Sequence, residues 1–253
     1  MTFDLATLLL QWAAGGLLFC WVTTRRREVG LGYGWLLRLV YGSMAVGALV
    51  AGLGDEGAGA AIRNVGAAVV ALGAFVAFAV SFARRARGLE GFDPRLDLVA
   101  PIAGFLSLLG ATSFVGDTYA LSLARLVVGA LFVGAVTDGM LLGHWYLVQP
   151  GLRRDPIAQL VTIVMVLWPF EVLVWLVPTG MGSVLSGSID DGYGGLIGWM
   201  WVVSCVTTIG LVVASRQALK EPSYSAVMAV TGLMYLAILT GVGMDLLPRA
   251  LLS

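Results

Sequence analysis

Eight apolar stretches, each long enough to cross a bilayer, follow one another through this 253-residue chain, and its basic residues gather in every second gap between them. A hydrocarbon core roughly 30 Å thick needs about 20 helical residues at about 1.5 Å of rise each. The runs at 3–23, 31–53, 64–83, 97–116, 120–148, 157–178, 194–214 and 225–247 meet that length. Barrel strands would instead alternate in segments of about 10 residues, and these runs do not alternate. The sequence therefore predicts an all-α fold, a polytopic transmembrane helical bundle of about eight spans. A chain that is 59% hydrophobic, 12% charged and of mean hydropathy +0.92 also carries more apolar surface than a soluble core of this length can bury.

Charge placement sets an orientation. Arg25, Arg26 and Arg27 follow the first run, Arg84, Arg85, Arg87 and Arg95 the third, Arg153 and Arg154 the fifth, and Arg216 and Lys220 the seventh. The opposite gaps and ends hold Arg63 and Arg249 but also Asp4, Asp55, Glu56, Asp117, Asp190 and Asp191. The positive-inside rule makes the first side cytoplasmic and predicts an N-out/C-out protein of a cell membrane of the bacterial inner-membrane type. The first run has no basic segment before it, only Asp4, so it reads as an N-out anchor and not as a cleaved signal.

The series is read as one integral membrane domain, 1–253. A four-plus-four duplication, 1–116 and 117–253, is suggested by laying Gln11–Gly15 over Arg125–Gly129; chance recurrence of small residues is the competing explanation. Pairs of small residues four apart, such as Ser43/Gly47, Ala67/Ala71 and Gly139/Gly143, predict close helix approach. The stretch 179–193, rich in Gly and Ser, reads as a solvated outer loop.

Ionisable groups at bilayer depth cost about 2.5–3.5 kcal/mol on insertion scales and face partners or wet cavities. Asp138 and Glu171 fall roughly 18–21 Å from the cytoplasmic helix ends, so they are expected to meet near mid-membrane as a proton or ion site. Pro169 should loosen the helix beside Glu171. Arg38 and His144 fall in the cytoplasmic third among Tyr41, Trp145 and Tyr146, a donor-and-aromatic set suited to a quinone head group. An interfacial aromatic belt with a snorkelling arginine explains the same residues. Arg125 and Asp245, near the outer side, are expected to form a structural ion pair.

Other classes are excluded by what the residues can do. One histidine cannot supply a bis-histidine haem or a histidine-rich metal centre, and no metal site is expected. The single lysine, Lys220, lies in a loop, so no Schiff base forms within the bundle, and no phosphate-binding glycine loop precedes a soluble helix. Ser183, Ser186 and Ser188 have no histidine base beside them in sequence. Cys20 and Cys205 sit alone inside apolar runs. Fifteen basic and fifteen acidic residues cancel, so nucleic acid is not an expected partner.

Three functions fit this sequence. The first is a membrane subunit of a respiratory or other redox complex, working beside other protein subunits and offering a quinone or proton-transfer environment without a metal or covalent cofactor of its own. The second is a proton-coupled secondary transporter or channel for a small ion or metabolite. The third is a membrane scaffold or assembly subunit. In each, lipids are partners and stand-alone catalysis is the less favoured role.

Overall fold

Most of the apolar runs are set off by residues that start or stop a helix. Asp4 caps α1 (Leu5–Thr24) by accepting the Thr7 N–H at 3.2 Å, and Pro156 occupies the first turn of α6 (Asp155–Leu176). Gly30 and Gly57 stand immediately before α2 (Leu31–Ala51) and α3 (Ala58–Ala86), and Gly195 before α8 (Leu196–Ala218). The computed structural model describes residues 4–89, 93–114 and 118–252. Its other elements are a 3-10 segment, Pro94–Leu98, running directly into α4 (Val99–Ala111), a short 3-10 turn Thr112–Phe114, α5 (Tyr119–Val148), α7 (Gly180–Leu185) and α9 (Tyr224–Leu252). There is no strand among the described residues. Among the described residues eight helical segments are long and apolar enough to cross a membrane, one of them the continuous stretch Pro94–Ala111.

Several boundaries move from those expected. α3 begins at Ala58, not near 64, because Arg63 lies inside its second turn with its charge satisfied. Arg63 donates to Asp4 at 2.9 Å, to Asn64 and to Asp55, and is 1% exposed. α9 runs through Pro248 to Leu252, beyond the expected end near 247, and Arg249 is again a helical residue with a partner. The stretch 179–193, expected to be a loop, contains one short helix, α7. Asp117, assigned above to the outer side, lies outside the described residues.

The chain divides into two compact units, Asp4–Val115 and Gly116–Ser253. In the first unit α1 packs on α2 and α4, α2 on α3, and α3 on α4, closing a ring of four helices. In the second, α5 packs on α6 and α9, α8 on α6 and α9, and α7 lies against α6, α8 and α9.

α1 and α5 are the most enclosed helices of their respective units. Small residues allow this: a Cβ on Gly16 would overlap the ring of Tyr41, and one on Gly143 would come within 2.6 Å of the Thr231 hydroxyl. Between helices that share an apolar surrounding, such backbone approach supplies the packing that hydrophobic exclusion cannot.

Candidate functional site

The first unit holds a cavity of about 310 Å³ where the carboxyl ends of α1 and α3 meet the amino end of α2 and the 3-10 segment. Its innermost wall is an ion pair. Arg38 donates through Nε to Asp97 Oδ1 and through Nη2 to Asp97 Oδ2, both at 2.7 Å, with side chains 4% and 6% exposed. Local sequence produces this placement. Asp93 accepts the Arg95 N–H at 2.9 Å and Pro94 pre-sets the first turn, which turns the chain so that Asp97 faces inward, one turn before α4. On α2, Gly34 clears the turn below Arg38: a Cβ there would sit 3.1 Å from Nη1.

Around that pair, Thr24 and Ser81 line the side walls. The Thr24 hydroxyl donates to the Cys20 carbonyl at 2.7 Å, and Ser81 Oγ accepts the Trp35 indole N–H at 3.0 Å. Trp35 in turn lies edge-on to Phe82 and Phe78, with ring centroids 5.3 and 6.4 Å away. Arg27, Arg84 and Arg85 form an exposed rim, and Val29, Leu31, Leu89 and Pro94 complete the lining with apolar surface. Four arginines and one aspartate are thus among the described residues that line the cavity. Arg27 is the one non-glycine residue at positive φ among those described, at 56°, a conformation that costs a long side chain about 1 kcal/mol or more.

The second unit buries a different charged cluster. Glu171, fully enclosed, accepts the Trp175 indole N–H at 2.9 Å. The Trp175 ring has a guanidinium on Arg125 4.6 Å from its centroid and another on Arg249 5.4 Å from it. Arg249 holds Asp245, one turn earlier on α9, with bonds of 2.8 and 2.9 Å, and both face Glu171. Arg125 donates to the carbonyls of Val174 and Val177, each at 2.9 Å, where α6 ends. Asp245, expected to pair with Arg125, is held by Arg249 of its own helix, and Arg125 reaches the same cluster at the α6 carbonyls and the Trp175 ring.

Asp138 is also fully buried. By helix rise it lies about 15 Å from the Val148 end of α5, whereas Glu171 lies about 24 Å from the Asp155 start of α6. Glu171 keeps company with Trp175, Asp245 and Arg249. Among the described residues no three His, Cys, Asp or Glu side chains are grouped as a metal site would need.

Of the expected quinone set, Arg38 alone lines the cavity. Tyr41, on the same helix, is buried against Gly16. His144, Trp145 and Tyr146 belong to the second unit. His144 is exposed, its ring 5.9 Å from that of Tyr235, and Trp145 donates to Gln149 at 3.0 Å. The buried Tyr146 donates its hydroxyl to the Arg153 carbonyl, and its own carbonyl accepts from the Tyr224 hydroxyl at 3.2 Å, fastening the loop after α5. Sequence reasoning missed Asp97, Trp175 and Arg249 as site residues, and saw Arg27, Arg84 and Arg85 only as topology markers.

No protein-family model matches this chain, and comparisons with curated proteins and with solved structures likewise gave no match.

Proposed function

We propose that this chain is a multi-pass membrane protein that binds a small anionic ligand in the arginine-lined cavity of its first unit. One observation carries the reading: four guanidinium groups and one carboxylate share a cavity of about 310 Å³ that also has apolar walls. Such a field attracts anions, and guanidinium forks hold oxyanions by paired, charge-assisted hydrogen bonds. The orientation that goes with it puts the arginine-rich loops in the cytoplasm and both termini outside, so the ligand enters from the cytoplasmic side. Binding by the purified protein in detergent tests this: oxyanions should raise its melting temperature saturably, and Arg84→Gln with Arg85→Gln should abolish the rise. Tags at both ends found facing the cytosol would remove the orientation.

A second reading, the redox-complex subunit, is favoured by the Trp35–Phe78–Phe82 aromatic group beside Ser81. A quinone head could take hydrogen bonds from the same walls. Its carbonyls are neutral, however, so an arginine-rich lining favours an anion over it. A short-chain quinone that protects the protein, where oxyanions do not, would reverse the order. For a proton-coupled transporter the Glu171–Asp245–Arg249 cluster is the natural place to test, with Glu171→Gln in a flux assay.

A further inference from the structure

Beyond the anionic-ligand reading and independently of it, we infer that the second unit binds a proton: Glu171 carries it on Oε2 and donates it to the Asp245 carboxylate, so that two buried acids share one H+. The two oxygens of Glu171 have different surroundings. The residue is 0% exposed. Its Oε1 accepts the Trp175 indole N–H at 2.9 Å, whereas no protein donor reaches the buried Oε2.

The groups that face Glu171 come from several helices. α9 brings Asp245, within hydrogen-bonding reach, and Arg249; α8 brings the Cys205 thiol. Arg125 of α5 stands on the far side of the shared neighbour, over the Trp175 ring. α7, also packed on α6, has no acidic, basic or thiol side chain. Arg249 is the cation that favours an ionised Glu171, but its Nε and Nη2 are both bonded to Asp245, at 2.8 and 2.9 Å.

Two carboxylates facing each other out of reach of water repel, and neither has a hydrogen to give the other. One proton removes both difficulties. Uptake of H+ turns the Glu171 carboxylate into a carboxyl, whose O–H supplies the missing donor; Asp245 stays ionised and keeps Arg249. No other bond breaks, and release returns the proton to water.

A metal ion fits this place less well. Hard cations take about six oxygens, whereas here both Asp245 oxygens are already held by Arg249. Among the described residues no three His, Cys, Asp or Glu side chains are grouped for a metal. A single oxygen without a donor suits a proton.

Infrared spectroscopy of the full chain in lipid nanodiscs near neutral pH tests the inference. The wild type should show the C=O stretch of a protonated carboxylic acid, moved to lower frequency in protein prepared in heavy water, and Glu171→Gln should lack that band. Asp245→Asn removes the acid that receives the proton and frees Arg249 for Glu171, so the same band should disappear there although Glu171 remains. Thermal unfolding gives a second readout. Glutamine keeps an acceptor for Trp175 and places an N–H where the O–H is inferred, so Glu171→Gln should melt close to wild type and Glu171→Leu clearly lower. Identical carboxylic-acid bands in wild type and Glu171→Gln overturn the inference, as does a Glu171→Gln protein destabilised as much as Glu171→Leu. A band that survives in Asp245→Asn overturns the sharing with Asp245.

Discussion

Arg38 and Asp97, 59 residues apart in the chain, meet through two parallel hydrogen bonds of 2.7 Å in a wall from which solvent is almost excluded. The pair ties the second helix to the turn that opens the fourth. Burial makes it asymmetric: together the charges compensate, but either one left alone is expensive. Asp97→Asn should therefore cost about 3–5 kcal/mol, read by denaturant or thermal unfolding in detergent. Replacing both residues, Arg38→Met with Asp97→Asn, should recover much of that loss. If the double variant is as unstable as the sum of the singles, the pair is not coupled as its geometry implies.

Arg27 sits in the left-handed region at φ 56° on the rim of the same cavity. Glycine accepts that conformation without steric cost, although it frees the unfolded chain. Arg27→Gly is expected to leave the melting temperature equal or higher, within about 1 kcal/mol. Its affinity for an oxyanion should nevertheless fall about tenfold, the effect of one lost charge-assisted contact. A merely structural arginine would change stability and affinity in step, so opposite movement of the two is the informative result.

The span count was legible because hydrophobic length is a local property: each run satisfies it without reference to any other. Span ends were not, and for a specific reason. Arg63 and Arg249 look like boundaries in sequence, yet each lies within a helix: Asp245, one turn earlier on the same helix, meets the charge of Arg249, and Asp4 and Asp55, from outside its helix, meet that of Arg63. Contacts of that kind carry no periodic signal. The same holds for Asp97, which in sequence is merely the first residue of an apolar run. The α5–α6 neighbourhood was foreseeable from its short loop, but the register that gives Glu171 to Trp175 and α9 depends on how helices of the second unit pack. Arg27, Arg84 and Arg85 were visible as a charge pattern; that they share one cavity needs the ring of helices to be closed first.

Trp175 serves two kinds of neighbour at once. Its N–H bonds to Glu171 Oε1, and its ring lies near the guanidinium groups of Arg125 and Arg249. Trp175→Phe keeps a ring for the cations and removes the donor, so the enclosed carboxyl loses a hydrogen bond at a cost of about 1–3 kcal/mol. Trp175→Leu removes both and should cost more. Adding Glu171→Leu to Trp175→Phe takes away the group that needs the donor, so the second substitution should cost less there than in the wild-type background. Equal stability of Trp175→Phe and wild type in thermal unfolding would show that the indole N–H contributes nothing to the cluster.

Asp191 organises the start of α8 from outside the helix. Its Oδ1 accepts the N–H groups of Gly195 at 2.8 Å and Tyr193 at 3.0 Å, and its Oδ2 that of Ile197 at 2.8 Å. These backbone donors, Gly195 foremost, hold the carboxyl below its ordinary value. A depressed carboxyl stabilises the fold fully above its unfolded pKa of about 3.9, and that contribution disappears as the pH falls through the lower folded value. Amide hydrogen exchange of residues 193–197, corrected for intrinsic rates, should therefore show protection that is constant near neutrality and falls in the acid range below about 3.9. Asp191→Asn retains one acceptor oxygen but presents an amide to the Ile197 N–H, so these amides should exchange faster at neutral pH and lose the acid step. Persistence of that step in the variant would assign it to another carboxylate.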